Sequence, residues 1–106
     1  MDHAAEVKKF DAGADEAVVK AIIRHCGIAL QKRDSSLVSW SDPEELKRVR
    51  DSWGKKKLGL TDDGEVDAAI KSVCEEMKAT REKSRVAFYY LVAKKLGKLG
   101  SLVKST

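Results

Sequence analysis

His25 and Cys26 stand side by side in this sequence, a base and a nucleophile in consecutive positions. A thiolate–imidazole pair works only when the two groups face each other, and consecutive residues on a helix project about 100° apart. The pair therefore reads as a core cysteine beside an exposed histidine. His3, His25, Cys26 and Cys74 offer metal-ligand types but contain neither Cys-x-x-Cys nor His-x-x-x-His spacing, so no metal centre is expected. Asp62, Asp63, Gly64, Glu65 and Asp67 look like a fragment of a calcium loop without its alternating ligands, and read instead as the start of a helix.

Gly97-Lys98-Leu99-Gly100 has the form of the G-x-x-G clamp of KH domains, but that clamp needs a sheet and none is expected here. No Gly-rich phosphate loop ending in Lys-Ser/Thr occurs, and no G-x-S-x-G turn to present a nucleophile. The carboxylate pairs Glu44-Glu45 and Glu75-Glu76 sit among lysines and arginines rather than in apolar sequence. Neither an enzyme nor a cofactor is expected.

Surface chemistry is what the sequence leaves. Trp53 with Lys55, Lys56 and Lys57 forms one basic helix end, and Lys94, Lys95 and Lys98 form another. Converging, they could contact phosphates while an exposed indole stacks on a base. The preferred reading is plainer: cations favour helix C-termini, and Trp53 shares a stripe with Leu46 and Val49 as a core anchor.

The elements that position these groups are helical throughout, since no segment alternates apolar and polar residues as a half-buried strand does. A weak first helix is expected over Asp2 to Asp11, with Val7 and Phe10 as its contacts. Asp15 caps a second helix with the stripe Val18, Val19, Ile22, Ile23 and Cys26. It stops at Gly27, and Ile28 is expected to fold back on Ile23. Residues 31–41 read as a loop tacked down by Leu37, Val38 and Trp40.

Asp42-Pro43-Glu44-Glu45 places an acceptor at the N-cap, proline at the first helical position and a glutamate at the third, able to reach back to the cap. The helix it starts ends in Lys55-Lys56-Lys57-Leu58-Gly59, with Gly54 as a costly interior residue and a place to bend. The next helix, from Glu65, carries Val66, Ala69, Ile70, Val73, Cys74 and Met77 on one face. The run Val86 to Ala93 is apolar for eight residues and reads as the central helix, spanning Arg85 to Leu96 and packed on the helices starting at Asp15, Pro43 and Glu65. Tyr89 and Tyr90 are adjacent within it and should not both face one core, which would leave an aromatic face for a second copy. Lys-Lys-Leu-Gly occurs twice, 38 residues apart, and reads as convergent capping rather than a repeat.

With 106 residues, one core and one domain are expected over 1–106, with 1–13 a weakly ordered first helix and 98–106 a frayed tail. Residues 60–77 hold six carboxylates against one lysine, and 78–106 hold eight cations against one glutamate, as two complementary neighbouring helices would. The start of the chain has no secretory pattern and the longest apolar run is far too short to span a bilayer, so a cytoplasmic location and two unpaired core thiols are expected.

Arg33-Asp34-Ser35-Ser36-Leu37-Val38-Ser39, Ser41-Asp42-Pro43-Glu44-Glu45-Leu46, Lys56-Lys57-Leu58-Gly59-Leu60 and Phe88-Tyr89-Tyr90-Leu91 together resemble a family of short bacterial proteins classed as a domain of unknown function. The resemblance covers nearly the whole chain. It implies a helical single-domain protein of a bacterium, expected to be a proteobacterium, and carries no activity, cofactor or catalytic residue. Other residues stand in that family at the positions of Trp40 and Gly54, so a role for either would be particular to this protein. The fold is thus expected to be an all-α bundle of about five helices. Its expected role is a non-catalytic module binding another protein or itself, with a nucleic-acid-binding accessory domain as the alternative.

Overall fold

Aspartate or serine side chains open four of the helices by accepting backbone amide hydrogens that have no partner within the helix. The computed structural model describes residues 3–27, 37–38, 41–79 and 84–100. Helix α1 is His3–Lys8, shorter than the stretch to Asp11 expected from sequence. In α2, Glu16–Cys26, the Ala17 amide donates to Asp15. In α3, Pro43–Arg48, the Glu44 amide donates to Asp42. The Gly64 and Glu65 amides of α4, Asp63–Glu76, both donate to Asp62, and the Ala87 amide of α5, Arg85–Lys95, donates to the Ser84 hydroxyl. Gly27 ends α2 at φ 43°, a left-handed conformation that costs glycine little, and its amide donates to Ile23 O. Ile28 and Trp40 lie outside the described residues.

All eight residues from Val86 to Ala93 are buried, and α5 packs against α1, α2, α4 and the segment following α3. It is the centre of an all-α single domain. Helix α1 joins the three expected packing partners, with Val7 1% exposed. Enclosure on every side also changes the reading of the two tyrosines, since both are buried. The Tyr90 hydroxyl donates to Asp11 Oδ2 at 2.7 Å on one flank, and Tyr89 stacks on Trp53 on another. No aromatic ring of this pair is left over for a partner. Among the described residues the one extended pairing is an antiparallel bridge between Leu37 and Ser84, which ties the segment before α3 to the start of α5.

The helix starting at Pro43 departs from its expected course. It is α-helical only to Arg48, and Val49–Lys57 widens into a π-helix, in which the Leu58 amide donates to Trp53 O five residues back. Two tertiary demands account for the widening. Trp53 is fully buried and its Nε1 donates to Tyr89 O at 3.0 Å, while Gly54 lies directly on Val66 of α4. A β-carbon at residue 54 would fall far inside van der Waals contact with Val66 Cγ1. Gly54 is therefore neither a bend nor a defect: its missing side chain lets the two helices touch.

Charge pairing also differs from the sequence expectation. Of the acidic residues on α4, Asp63 and Asp67 pair with Lys55 and Arg50 of the π segment, and Glu76 reaches α5, at Lys95. Glu45, expected to reach back to its own cap, is instead 5% exposed and accepts from Arg85 Nη2 at 2.6 Å.

Candidate functional site

His25, in the last turn of α2, meets Trp53, in the middle of the π segment. Gly27 stops α2 just after His25 and Cys26, and the buried Trp53 presents its ring to the His25 imidazole with centroids 4.8 Å apart and planes at 48°. Behind them the rings continue inward. Trp53 stacks on Tyr89 at 4.8 Å and 24°, and the Arg85 guanidinium lies 5.7 Å over the Tyr89 ring while donating to its hydroxyl at 3.1 Å. Arg85 is held in turn by Glu45 and by Leu37 O, and Glu45 also takes Arg48 at 3.2 Å. A charged pair this far from water is tolerated because the guanidinium and carboxylate meet in close contact and further hydrogen bonds satisfy the rest.

Burial sets the chemistry of this cluster. It pushes the Cys26 thiol up to about 11, with Arg85 pulling weakly the other way, so the sulfur stays protonated and is a poor nucleophile. Burial, then the charge of Lys57, holds His25 below the ordinary histidine range, so its ring is neutral at neutral pH. Tyr89 is raised by burial, partly offset by Arg85. Cys26 and Cys74 are not disulfide-linked, Cys26 being buried and Cys74 half-buried. Among the described residues no three His, Cys, Asp or Glu side chains converge as metal ligands would, and the calcium-loop-like residues are used otherwise: Asp62 as a cap, Asp63 and Asp67 in ion pairs.

The two lysine clusters read from sequence do not form one patch. Lys55 pairs with Asp63 at 2.8 Å, at the first residue of α4, whereas Lys95 pairs with Glu76 at 3.5 Å, at its last. Fourteen helical residues separate these points by roughly 20 Å. Lys94 is tied to Asp11 at 3.2 Å and Lys98 is half-buried. Trp53 is 0% exposed, so its indole is a core anchor and no platform for a base. The groove beside the π segment, lined by Arg50, Asp51, Lys55, Lys56 and Leu60 among others, is nearly neutralised by the carboxylates on Arg50 and Lys55.

Of the lysines expected to bind, Lys56 and Lys57 alone are exposed with no carboxylate at ion-pair distance among the described residues. Two cations that sequence reasoning passed over share this condition. Lys20 and Arg24 stand one turn apart on the outward face of α2, opposite the buried Val18 and Ile22, and Arg24 precedes His25. Their spacing on one polar face was visible in the sequence. Their lack of partners was not, because it depends on where the folded chain puts its acids. Lys20, Arg24, Lys56 and Lys57 are thus exposed cations without a carboxylate partner among the described residues, a condition that Lys47 and Lys71 share, and the charge of Lys57 reaches the His25 imidazole.

No helix of the described residues is long and apolar enough to cross a membrane. A small all-helical domain with a buried polar cluster and several exposed, unpaired cations is the class of protein these features define. The chain belongs to the family described as protein of unknown function DUF2853, which matches it over residues 2–100, in line with the resemblance drawn from its motifs. No curated protein matches it.

Proposed function

We propose that this chain is a non-catalytic interaction module, acting in a bacterial cytoplasm, that docks a polyanionic partner through exposed, unpaired cations, Lys20, Arg24, Lys56 and Lys57 among them. The observation that carries the reading is the sorting of charge. Cations such as Lys8, Arg50, Lys55, Lys94 and Lys95 are spent on carboxylates of the same chain, whereas these four, like Lys47 and Lys71, are exposed with no carboxylate at ion-pair distance among the described residues. Unneutralised surface charge steers and holds ligands of opposite sign. The groups with reactive chemistry support the non-catalytic half of the reading. Cys26 stays protonated, Tyr89 and Arg85 bond each other, and Glu45 is committed to Arg85.

Self-association had one sequence observation behind it, the surplus tyrosine, and both tyrosines are buried. The test is anisotropy of a labelled oligoglutamate peptide and a labelled nucleic-acid strand at about 50 mM salt, where electrostatic binding is strongest. The intact protein should bind at least one, and the triple variant Arg24→Glu, Lys56→Glu, Lys57→Glu should bind neither while keeping its fold. Failure of the intact protein to bind either probe, or undiminished binding by the variant, would refute the reading.

A further inference from the structure

We infer that the groove beside the π segment binds a small zwitterion, a molecule carrying an ammonium group and a carboxylate as a free amino acid or a short peptide does. The inference goes beyond the docking of a polyanion and does not depend on it. Local geometry builds the groove. The core side of the π segment carries Val49, Trp53 and Gly54, all buried, and its other side is left to line a surface cleft. In an α-helix Arg50 would lie about 140° around the axis from Lys55. A turn that closes on the fifth residue brings the two toward one side, and both line the groove. Gly59, at φ 77°, then turns the chain back, and the Leu60 amide donates to Gly54 O at 3.1 Å, so that Leu60 and Thr61 line it too. The groove holds about 740 Å³, within the range of small-molecule sites.

The distribution of charge names the ligand. Three cations line the groove, Arg50, Lys55 and Lys56, and three carboxylates attend them, Asp51, Asp63 and Asp67. The charges of these six groups cancel, so a simple anion gains no net attraction from them. They are not matched one to one. Arg50 serves two carboxylates, Asp51 at 3.0 Å and Asp67 at 3.3 Å, which leaves a negative charge over at that end. Lys55 is matched by Asp63 at 2.8 Å. Lys56 is exposed with no carboxylate at ion-pair distance among the described residues, which leaves a positive charge over, one π turn along from Asp51. A ligand that sets its ammonium toward the half-exposed Asp51 and its carboxylate toward Lys56 satisfies both, and a molecule with either charge alone satisfies one. Arg50 and Lys55, held by their carboxylates, are fixed in place before a ligand arrives. Leu60, half-buried against the core, supplies an apolar surface beside the charges for a ligand side chain.

The experiment follows the backbone amide resonances of the whole chain by NMR during titration with L-leucine and with leucyl-leucine. Three controls accompany them: isocaproate, with the carboxylate alone; isoamylamine, with the ammonium alone; and inorganic phosphate. At millimolar concentrations the zwitterions should shift the amides of residues 50–61, and each control should bind about tenfold more weakly or worse, as for one lost charge-assisted contact. Lys56→Gln should weaken leucine binding about tenfold and leave isoamylamine unchanged, whereas Asp51→Asn should weaken leucine as much and leave isocaproate no weaker. Both side chains are at the surface, and the same spectra report that each variant keeps its fold. Tighter binding of leucyl-leucine than of leucine assigns the groove to peptides, and the reverse order assigns it to free amino acids. Controls that bind as tightly as the zwitterions, or amides of residues 50–61 that do not move with either zwitterion, would overturn the inference and leave polyanion docking untouched.

Discussion

Replacing Gly54 by alanine tests the closest approach in the fold. In an exposed helix interior the change would stabilise the protein by up to about 1 kcal/mol, because alanine is the better helix former. Here the added methyl would collide with Val66 Cγ1 and lie 3.2 Å from Cγ2. Val66 is 0% exposed and β-branched, so its side chain has neither space to move into nor a low-cost alternative rotamer. Overpacking of a filled core costs about 1–3 kcal/mol, and subtracting the helix preference of up to about 1 kcal/mol leaves a net loss reaching about 2 kcal/mol. Urea denaturation should show this as a lower midpoint with an unchanged slope. The same substitution made in a Val66→Ala background, where both offending methyls are gone, should cost less than in the native chain, giving a coupling energy of the size found between residues in contact. A stabilised Gly54→Ala protein, or a cost independent of residue 66, would show that the π segment and α4 do not touch as described.

Glu45→Ala should destabilise the chain by about 3 kcal/mol or more, measured by the same denaturation, because Arg85 is left buried without its carboxylate; removing Arg85 as well should cost less than the two separate losses combined. Tyr90, then Lys94, hold the Asp11 carboxyl below the usual carboxylate range, so its stabilising effect is present above about pH 4 and lost as pH falls through the lower folded value. Denaturation midpoints of the native chain should therefore fall more steeply below pH 4 than those of Asp11→Asn, and parallel curves would refute the latch. His25 is held below about 6.5, so it contributes stability above that pH that is lost as protonation sets in beneath it. In a Trp40→Phe background the Trp53 emission should change with that lower midpoint and should vanish as a pH response in His25→Phe. Cys26, with its thiol pushed up to about 11, should react with a disulfide reagent at pH 8 far more slowly in the native protein than after unfolding.

What could be read in advance was whatever is decided within a few residues. Asp15, Asp42-Pro43 and Asp62 start helices, and Gly27 stops one, because caps satisfy amides and carbonyls of the adjacent turn. The central place of α5 was legible too, since eight apolar residues in a row cannot leave a helix face in water. The departures all involve partners distant in sequence. Glu45 leaves its own cap for Arg85, 40 positions on. The α-to-π change at Val49 is imposed by Trp53 meeting Tyr89 and by Gly54 meeting Val66, neither of which has a local signature. The set of unpaired cations was half legible for the same reason. Lys56 and Lys57 drew attention as a run, but whether a lysine is available depends on which carboxylate the fold places beside it, and Lys55, Lys94 and Lys95 are taken.

The position of α5 in the chain has a consequence for synthesis. A ribosome releases this protein from the N-terminus, and the helix on which α1, α2, α4 and the π segment pack emerges after all of them. Until Arg85–Lys95 clears the exit tunnel, α1 can pack on α2 and the π segment on α4, but Val7, Ile22, Trp53 and Val73 lack the common surface that buries them together. Its native core therefore forms in a single late event. A stalled chain ending before residue 85 should consequently be bound by chaperones and cut by proteases, whereas a chain tethered through a linker long enough to expose α5 should resist both.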